Sequence, residues 1–365
     1  MEKQEFMYPI LEVHMDKLTD NVKNVYTLCN NSGVQLTGVI KGCNAMHEVS
    51  TLFEDHSYHS LGSSRMSQLK TIKESGLQSM TMLVRIPMLS EIDCVVQYAD
   101  ISLNSDKQTL MALNDVCLKH NKMHNVVLMA DLGDLREGIW AEEEFVKLAL
   151  FVEQELPHIK LYGIGTNLGC YGAIKPTVDK MSSLASLAYA IEAEIGRELD
   201  IVSGGATSSV PLVVNGVMPS KVNHLRVGEG ILLARDLTAP SFCYLDYMHV
   251  DTFVLKAQII EIQEKPSHPV GEFYVDAFGG KPTFVDKGIR KRALLGIGRQ
   301  DFGHHESLRT IHAGMDIVGS SSDHLIVDIT DAGKEYEIGE IVPFTLFYQA
   351  MLFLTRSEDV HKIII

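Results

Sequence analysis

QLTGVIKGCNA, residues 35–45, runs from a strand into a lysine and a small polar turn. Leu36, Val39 and Ile40 with the β-branched Thr37 suit a strand buried on both faces, and Gly42, Cys43 and Asn44 then turn the chain. Lys41 sits at the carboxyl end of that strand, where loss of water lowers the pKa of an amine and leaves part of it neutral and nucleophilic near pH 7. A Schiff-base lysine needs that setting. A strand-end lysine also has a plainer use, laying its stem along apolar surface while the amine reaches water, so the rest of the chain has to decide.

Seven further runs of the same kind follow: YHSLGSS (58–64), MTMLVRI (80–86), ADISLN (99–104), NVVLMADL (125–132), IKLYGIGT (159–166), LDIVSGG (199–205) and NHLRVGEGILLA (223–234). Before and between them lie stretches such as MDKLTDNVKNVYTLCNNSG (15–33), apolar at three- and four-residue spacing and closed by Gly33, which read as the barrel's helices. Eight βα units predict an α/β chain whose first domain, residues 12–238, is a (β/α)8 barrel. In such a barrel the active site lies at the carboxyl ends of the strands, where Lys41, Arg136, Asn167, Thr207 and Arg226 fall. From about residue 241 the texture turns to β-rich segments with turn signals, VDTFVLKAQIIEIQEK, RKRALLGIGRQD and DHLIVDITDAGKEYEIGEIVPF, with no long helical pattern before FYQAMLFLTRSEDVHKI. Residues 239–365 therefore read as a C-terminal mostly-β domain, and the strand-like FMYPILEVH (6–14) places residues 1–11 with it.

The 365 residues are 45% hydrophobic and 22% charged, an ordinary globular profile, with a formal charge of −15 and a pI of about 5.4. Nucleic acids and anionic membranes bind basic patches, so a small-molecule partner is expected. Cysteines 29, 43, 94, 117, 170 and 243 show no paired spacing, and no apolar run reaches membrane-spanning or signal-peptide length. A cytoplasmic protein with reduced thiols is the expectation. The one tight histidine group, His304-His305, shows no recognised metal-ligand spacing, so no metal site is expected.

Gly204-Gly205-Ala206-Thr207-Ser208-Ser209 follows the seventh run, and Arg226-Val227-Gly228-Glu229-Gly230 lies at the eighth. Glycines and hydroxyls there free backbone amides to face an anion, and the loops after strands seven and eight are a common phosphate site in barrels. A phosphate at one end and the Lys41 amine at the other are the two anchor points of pyridoxal phosphate.

With these motifs the chain resembles the alanine racemase superfamily of fold-type III pyridoxal-phosphate enzymes, and is most similar to the ornithine racemase and broad amino-acid racemase subgroup. The resemblance rests on VIKGCNA (39–45), ADLGDLREGI (130–139), GIGTNLGCYG (163–172), SGGATSS (203–209), HLRVGEGILL (224–233) and SSSDHLIVDIT (320–330) in that order. It implies that Lys41 carries the cofactor covalently and that Arg226 faces the pyridine nitrogen, keeping it unprotonated. It implies phosphate contacts at Thr207, Gly228 and Glu229, the last two through backbone amides, and at the Tyr348 hydroxyl. Arg136 would position substrate, and Ser322 and Asp323 would line the substrate entrance of a second subunit's site. Ala45 stands where the family has a tyrosine, and Asn167 where it has a histidine after the sixth strand, which places Asn167 beside the cofactor. The family's V-S-Y-G motif, whose tyrosine is the second base, has no counterpart in KPSHPVGEFYVDAFGGKP (265–282). Tyr274, Asp276 and His268 are the candidates there, with Tyr274 and Asp276 preferred as catalytic partners of Lys41.

The implied reaction is two-base racemisation of an amino acid (ornithine, lysine or an alanine-like substrate) in a homodimer whose subunits share active sites. Two other outcomes use the same frame: decarboxylation or D-amino-acid lysis, and cofactor binding without turnover. Arg226 and SGGATSS disfavour a decarboxylase, which carries a glutamate and a GEGG-like loop at those places. The β domain of more than 100 residues disfavours a simple carrier.

Overall fold

The computed structural model describes residues 7–281 and 283–365, so what was expected of residues 1–6 and of Pro282 lies outside the described residues. The chain divides into two compact units, Leu18–His249 and a second in which Val250–Ile365 is joined by the chain up to Lys17. The division thus falls 6 residues beyond the expected limit at the first joint and 11 beyond it at the second. Residues up to His249 stay with the first unit because buried Asn21 brackets His249, donating to its carbonyl (2.8 Å) and accepting its amide (2.9 Å).

The first unit is a closed parallel barrel of eight strands in sequence order. Counting β1 as Ile10–Val13, these are β2 Gln35–Val39, β3 Ser60–Ser63, β4 Met80–Leu83, β5 Ile101–Asn104, β6 His124–Met129, β7 Ile159–Gly165, β8 Ile201–Ser203 and β9 His224–Val227. The helix Met15–Asn30 buries Leu18, Val22, Val25 and Cys29 at the expected spacing. The helices Lys107–His120, Glu142–Glu155 and Val178–Ile195 bury leucine, valine and phenylalanine stripes in the same way. Each such side chain contributes about 1.5–3 kcal/mol on burial, so the shell between helices and strands holds the barrel closed.

The barrel interior has two unlike halves. Met82, Ile101, Leu103, Val127, Met129 and Ile201, from β4 to β8, form an apolar cluster. Toward β2, β3 and β9 the interior is polar: Thr37, Ser60, Ser203, His224 and Arg226 are all buried.

Two expected elements are shorter than the sequence suggested. The run NHLRVGEGILLA is strand only over His224–Val227 and then turns into the short helix Glu229–Leu232. At Gly228 the chain passes so close to β2 that a Cβ would lie 2.9 Å from the Val39 carbonyl oxygen, and the Gly228 carbonyl accepts the Ile231 and Leu232 amides that open the helix. The segment FYQAMLFLTRSEDVHKI is helical over Tyr348–Leu354, after which His361–Ile364 becomes a strand.

The second unit is an antiparallel sheet of β10 Phe253–Pro266, β11 Ile289–Leu295, β12 Leu308–Thr310, β13 Asp316–Ser320, β14 Leu325–Asp328 and β15 Ile341–Leu346, in the order β12-β15-β10-β11-β14-β13. Off this path, β1 pairs antiparallel with β10 and parallel with the closing strand β16, His361–Ile364. The β-strand content expected after residue 241 is present, and its first strand comes from the start of the chain. Among the described residues no helix is long and apolar enough to cross a membrane.

Candidate active site

Lys41 lies two residues past the end of β2 in a turn that holds it tightly. The Ile40 carbonyl accepts the Ala45 amide (3.1 Å) and the Cys43 thiol (3.2 Å), and the Met46 amide reaches the Cys43 carbonyl (3.1 Å). Asn44 and Ala45 sit at φ 52° and 55°, a left-handed conformation that costs a non-glycine residue about 1–2 kcal/mol and that the bonded turn sustains. Burial lowers the Lys41 pKa. The Cys170 thiol and the Glu137 carboxylate oppose that shift, while Arg136 and Arg226 add to it. The amine is therefore poised to lose a proton, as a strand-end nucleophile requires.

Arg226, 4% exposed, is fixed in the polar half of the barrel. Its guanidinium donates to the Thr166 carbonyl (2.7 Å) and to the Ser203 hydroxyl. Ser203 Oγ also lies 2.7 Å from His224 Nδ1, and His224 Nε2 lies 2.9 Å from Thr37 Oγ1, which in turn meets Ser60 Oγ at 2.7 Å. Only donors sit on a guanidinium, so Ser203 accepts from Arg226 and gives its own hydrogen to Nδ1. His224 must then carry its proton on Nε2 and donate to Thr37. Burial holds its pKa well below the usual range, with His59 and Arg226 acting in the same direction, so the ring is neutral. Burial also lowers Arg226 to about 10, which still leaves it a cation at neutral pH. The register puts this chain in place: Thr37 is level with Ser60 and Arg226, and Ser203 with His224.

Arg136 and Asn167 come from the loops after β6 and β7. Asp131 and Asp134, which precede Arg136 on its own loop, are occupied by backbone. Asp131 accepts the amides of Gly133 and Leu135, and buried Asp134 accepts those of Gly169, Tyr171 and Gly172 at 3.0–3.1 Å, bracing one loop against the other. Arg136 pairs instead with Glu137, by Nε to Oε2 and by Nη2 to Oε1 at 2.7 Å, and Asn167 Nδ2 donates to the same Oε1 at 3.1 Å. Burial disfavours the charged form of Glu137, but the Arg136 hydrogen bond and charge, Asn167 and Arg226 outweigh it and hold the pKa low. Glu137 thus joins two of the expected site residues, and sequence reasoning passed it over although it lies inside the quoted ADLGDLREGI. Its neighbour Arg136, followed by Gly138, was the available signal.

The loops after β8 and β9 form a cradle. Gly205 holds φ +116°, and Thr207 Oγ1 accepts the Gly230 amide at 3.1 Å, tying the two loops together. The first amides of the turn Thr207–Ser209 and of the helix Glu229–Leu232 have no acceptor within their own turns. The Glu229 side chain is turned away into protein: burial and the neighbouring Asp236 carboxylate raise its pKa, so a neutral acid stands behind these amides. Thr166 Oγ1 is buried beside the carbonyl that Arg226 holds and meets no hydrogen-bond partner among the described residues.

The remaining expected site residues belong to the second unit. Tyr348 opens the helix Tyr348–Leu354. Ser322 donates to Asp323 at 2.5 Å, and Asp323 also accepts from Gln300 at 3.2 Å. Asp276 spends its carboxylate on its own turn, accepting the amides of Phe278 (2.9 Å) and Gly280 (2.7 Å), which lower its pKa. His268 is packed edge-on against Phe273 and Phe284. Tyr274 is 85% exposed. His304 and His305 stack at 4.4 Å, and His305 Nδ1 lies 2.9 Å from Ser320 Oγ.

Comparison with known proteins fits this arrangement. The family model for the alanine racemase N-terminal domain matches residues 13–236. Ornithine racemase from Acetoanaerobium sticklandii is 44% identical over 356 residues, which is 98% of this chain and 99% of that one. Lysine racemase from Thermotoga maritima is 33% identical over 357 residues, 98% of each. Among solved structures, alanine racemase from Clostridium difficile 630 in complex with cycloserine superposes with a TM-score of 0.75 at 16% identity, covering 99% of this chain and 96% of that one, a likeness of fold. A strand-end lysine, a buried arginine and an amide cradle on this barrel, with relatives of this similarity, lead to one assignment: the chain belongs to the alanine racemase family and is an amino-acid racemase.

Proposed function

We propose that this racemase interconverts L- and D-ornithine, with lysine as its second substrate, by a two-base mechanism that depends on pyridoxal phosphate, the cofactor of its family. The substrate assignment rests on the 44% identity to an ornithine racemase along 98% of the chain. The residues present fit the cofactor: a cradle of amides behind which the nearest acid is neutral, a fixed cation at Arg226, an unpaired hydroxyl at Thr166 and a low-pKa amine at Lys41. Lys41 would hold it covalently, Arg226 would face its pyridine nitrogen, Asn167 would sit beside it, and Thr207, the amides of Gly228 and Glu229, and Tyr348 would hold its phosphate. Pyridoxal phosphate, when bound, draws electrons from the substrate Cα and acidifies its hydrogen.

The chain's own groups divide the remaining work. Arg226 remains a donor at neutral pH and gives up no proton, which restrains electron withdrawal and favours return of the proton to Cα over side reactions. Lys41 Nζ takes or returns that proton on its face. Arg136, held by Glu137, orients the substrate. On the other face we assign the Tyr274 hydroxyl ahead of Asp276, whose carboxylate is committed to its own turn and too weak a base. Tyr274, Ser322 and Asp323 would act in the site of a second subunit, making the active form a homodimer.

Chiral chromatography after incubation with each of twenty L-amino acids tests this reading. Ornithine should be racemised fastest and lysine next. Racemisation of alanine alone would overturn the substrate assignment, and none at all would overturn the mechanism.

A further inference from the structure

We propose that Glu137 is a positioning residue of this active site: its carboxylate clamps Arg136 and Asn167, which come from two different strand-end loops, and supplies the negative charge set among Lys41, Arg136 and Arg226. The inference rests on the racemase reading above and adds a residue to it. Three observations carry it. The Arg136–Glu137 contact is two-pronged, the geometry in which a guanidinium loses least freedom per bond. The oxygen that receives Arg136 Nη2 also receives Asn167 Nδ2, so one carboxylate sets the direction of both side chains. The Glu137 side chain is only 14% exposed, so its charge is poorly screened by water.

The loops themselves are already held by other means, since Asp134 gathers three amides of the β7 loop and Asp131 two of its own. Glu137 is therefore free to serve the side chains. The groups facing Lys41 are Cys170, Arg136, Glu137 and Arg226, and of these Glu137 and Cys170 favour the protonated amine. Removing the Glu137 charge leaves two arginines facing Lys41 with less opposition.

Wild-type holoenzyme is compared with Glu137→Gln, which keeps reach but loses charge, and Glu137→Asp, which keeps charge but loses reach. Two readouts are taken: the pH midpoint of the visible absorbance band of the holoenzyme, and kcat/KM for L-ornithine. In Glu137→Gln the midpoint should move to lower pH and kcat/KM should fall about 10- to 100-fold, as a misplaced orienting group gives. Glu137→Asp should return the midpoint toward wild type while kcat/KM stays low. A Glu137→Gln enzyme with wild-type midpoint and kcat/KM overturns the inference, as does an equal midpoint shift in both variants. Failure of the racemase reading looks different: the wild type would racemise nothing, whatever the variants do to the band.

Discussion

The carboxyl end of the barrel and the segment between β10 and β11 carry the two halves of the proposed chemistry and are built in opposite ways. At the barrel end the charged groups have fixed neighbours: Arg226 is 4% exposed and bonded through Ser203 to a histidine deep in the barrel, and Asp134 binds three backbone amides. In the segment after β10, Phe273 anchors against His268 and Phe284, Phe278 lies under the Arg299 guanidinium at 4.2 Å, and the intervening Tyr274 is left 85% exposed. Lys41, Arg226 and the amide cradle thus lie within one unit. The group proposed for the other face is displayed at the surface, as a residue offered to a second copy would be.

Four substitutions press on that contrast, from the largest expected effect to the smallest. Lys41→Ala removes both the covalent anchor and one base, so kcat should fall by more than about 10⁴-fold and the visible band should vanish. Tyr274→Phe should keep the band and lower kcat by about 10²- to 10⁴-fold, the usual contribution of one general acid or base. Asp276→Asn should lower kcat less than tenfold, about the limit for a change that only loosens a turn. A reversed order of these last two would break the contrast, because the carboxylate would then be chemistry and not architecture. Ser203→Ala leaves Arg226 and His224 each short of a partner inside the barrel and should cost about 1–3 kcal/mol in urea unfolding.

The same contrast has a pH signature. His224 and His124 are buried and held neutral, His124 with a pKa of about 4 through burial, with Ser102 Oγ 2.7 Å from its ring. Below the ordinary histidine pKa the unfolded chain binds protons that the folded barrel refuses, so stability must fall as pH drops from about 6.5 toward 4, by about 3 kcal/mol for His124 alone. Urea unfolding of the barrel unit followed from pH 7 to pH 4 reads this loss. On the alkaline side, the lowered Lys41 pKa predicts that kcat, which reports the amine once substrate has released it from the cofactor, rises with pH along a limb centred below the usual lysine value.

Much of this was legible in the sequence because it depends on periodicity and punctuation. Eight apolar runs separated by amphipathic stretches give eight strands in order, and a lysine and an arginine at the first and last of them fall at one end of the barrel. Strand ends were less legible: β2 stops at Val39 and β9 at Val227, where turns bonded to the Ile40 and Gly228 carbonyls take over from the ladder. The polar chain from Arg226 to Ser60 was not visible, since Ser203, His224 and Thr37 are scattered strand residues that only the register aligns. Glu137 was hidden for a related reason. Next to Arg136 in sequence it reads as a surface charge, and only the fold turns it toward Asn167. The proposed second base is least legible of all, because among the described residues between β10 and β11 none is fixed by the packing of its own unit in a way that marks it for chemistry.

The central claim is that Lys41 works one face of the substrate Cα and a second group works the other. The direct test follows L-ornithine with wild-type holoenzyme in deuterium oxide, reading the Cα–H signal by proton NMR and optical rotation on the same sample. Loss of both together, with Lys41→Ala silent in both, is the predicted result; exchange of the hydrogen while the rotation holds would mean that only one face is served, and would contradict the account.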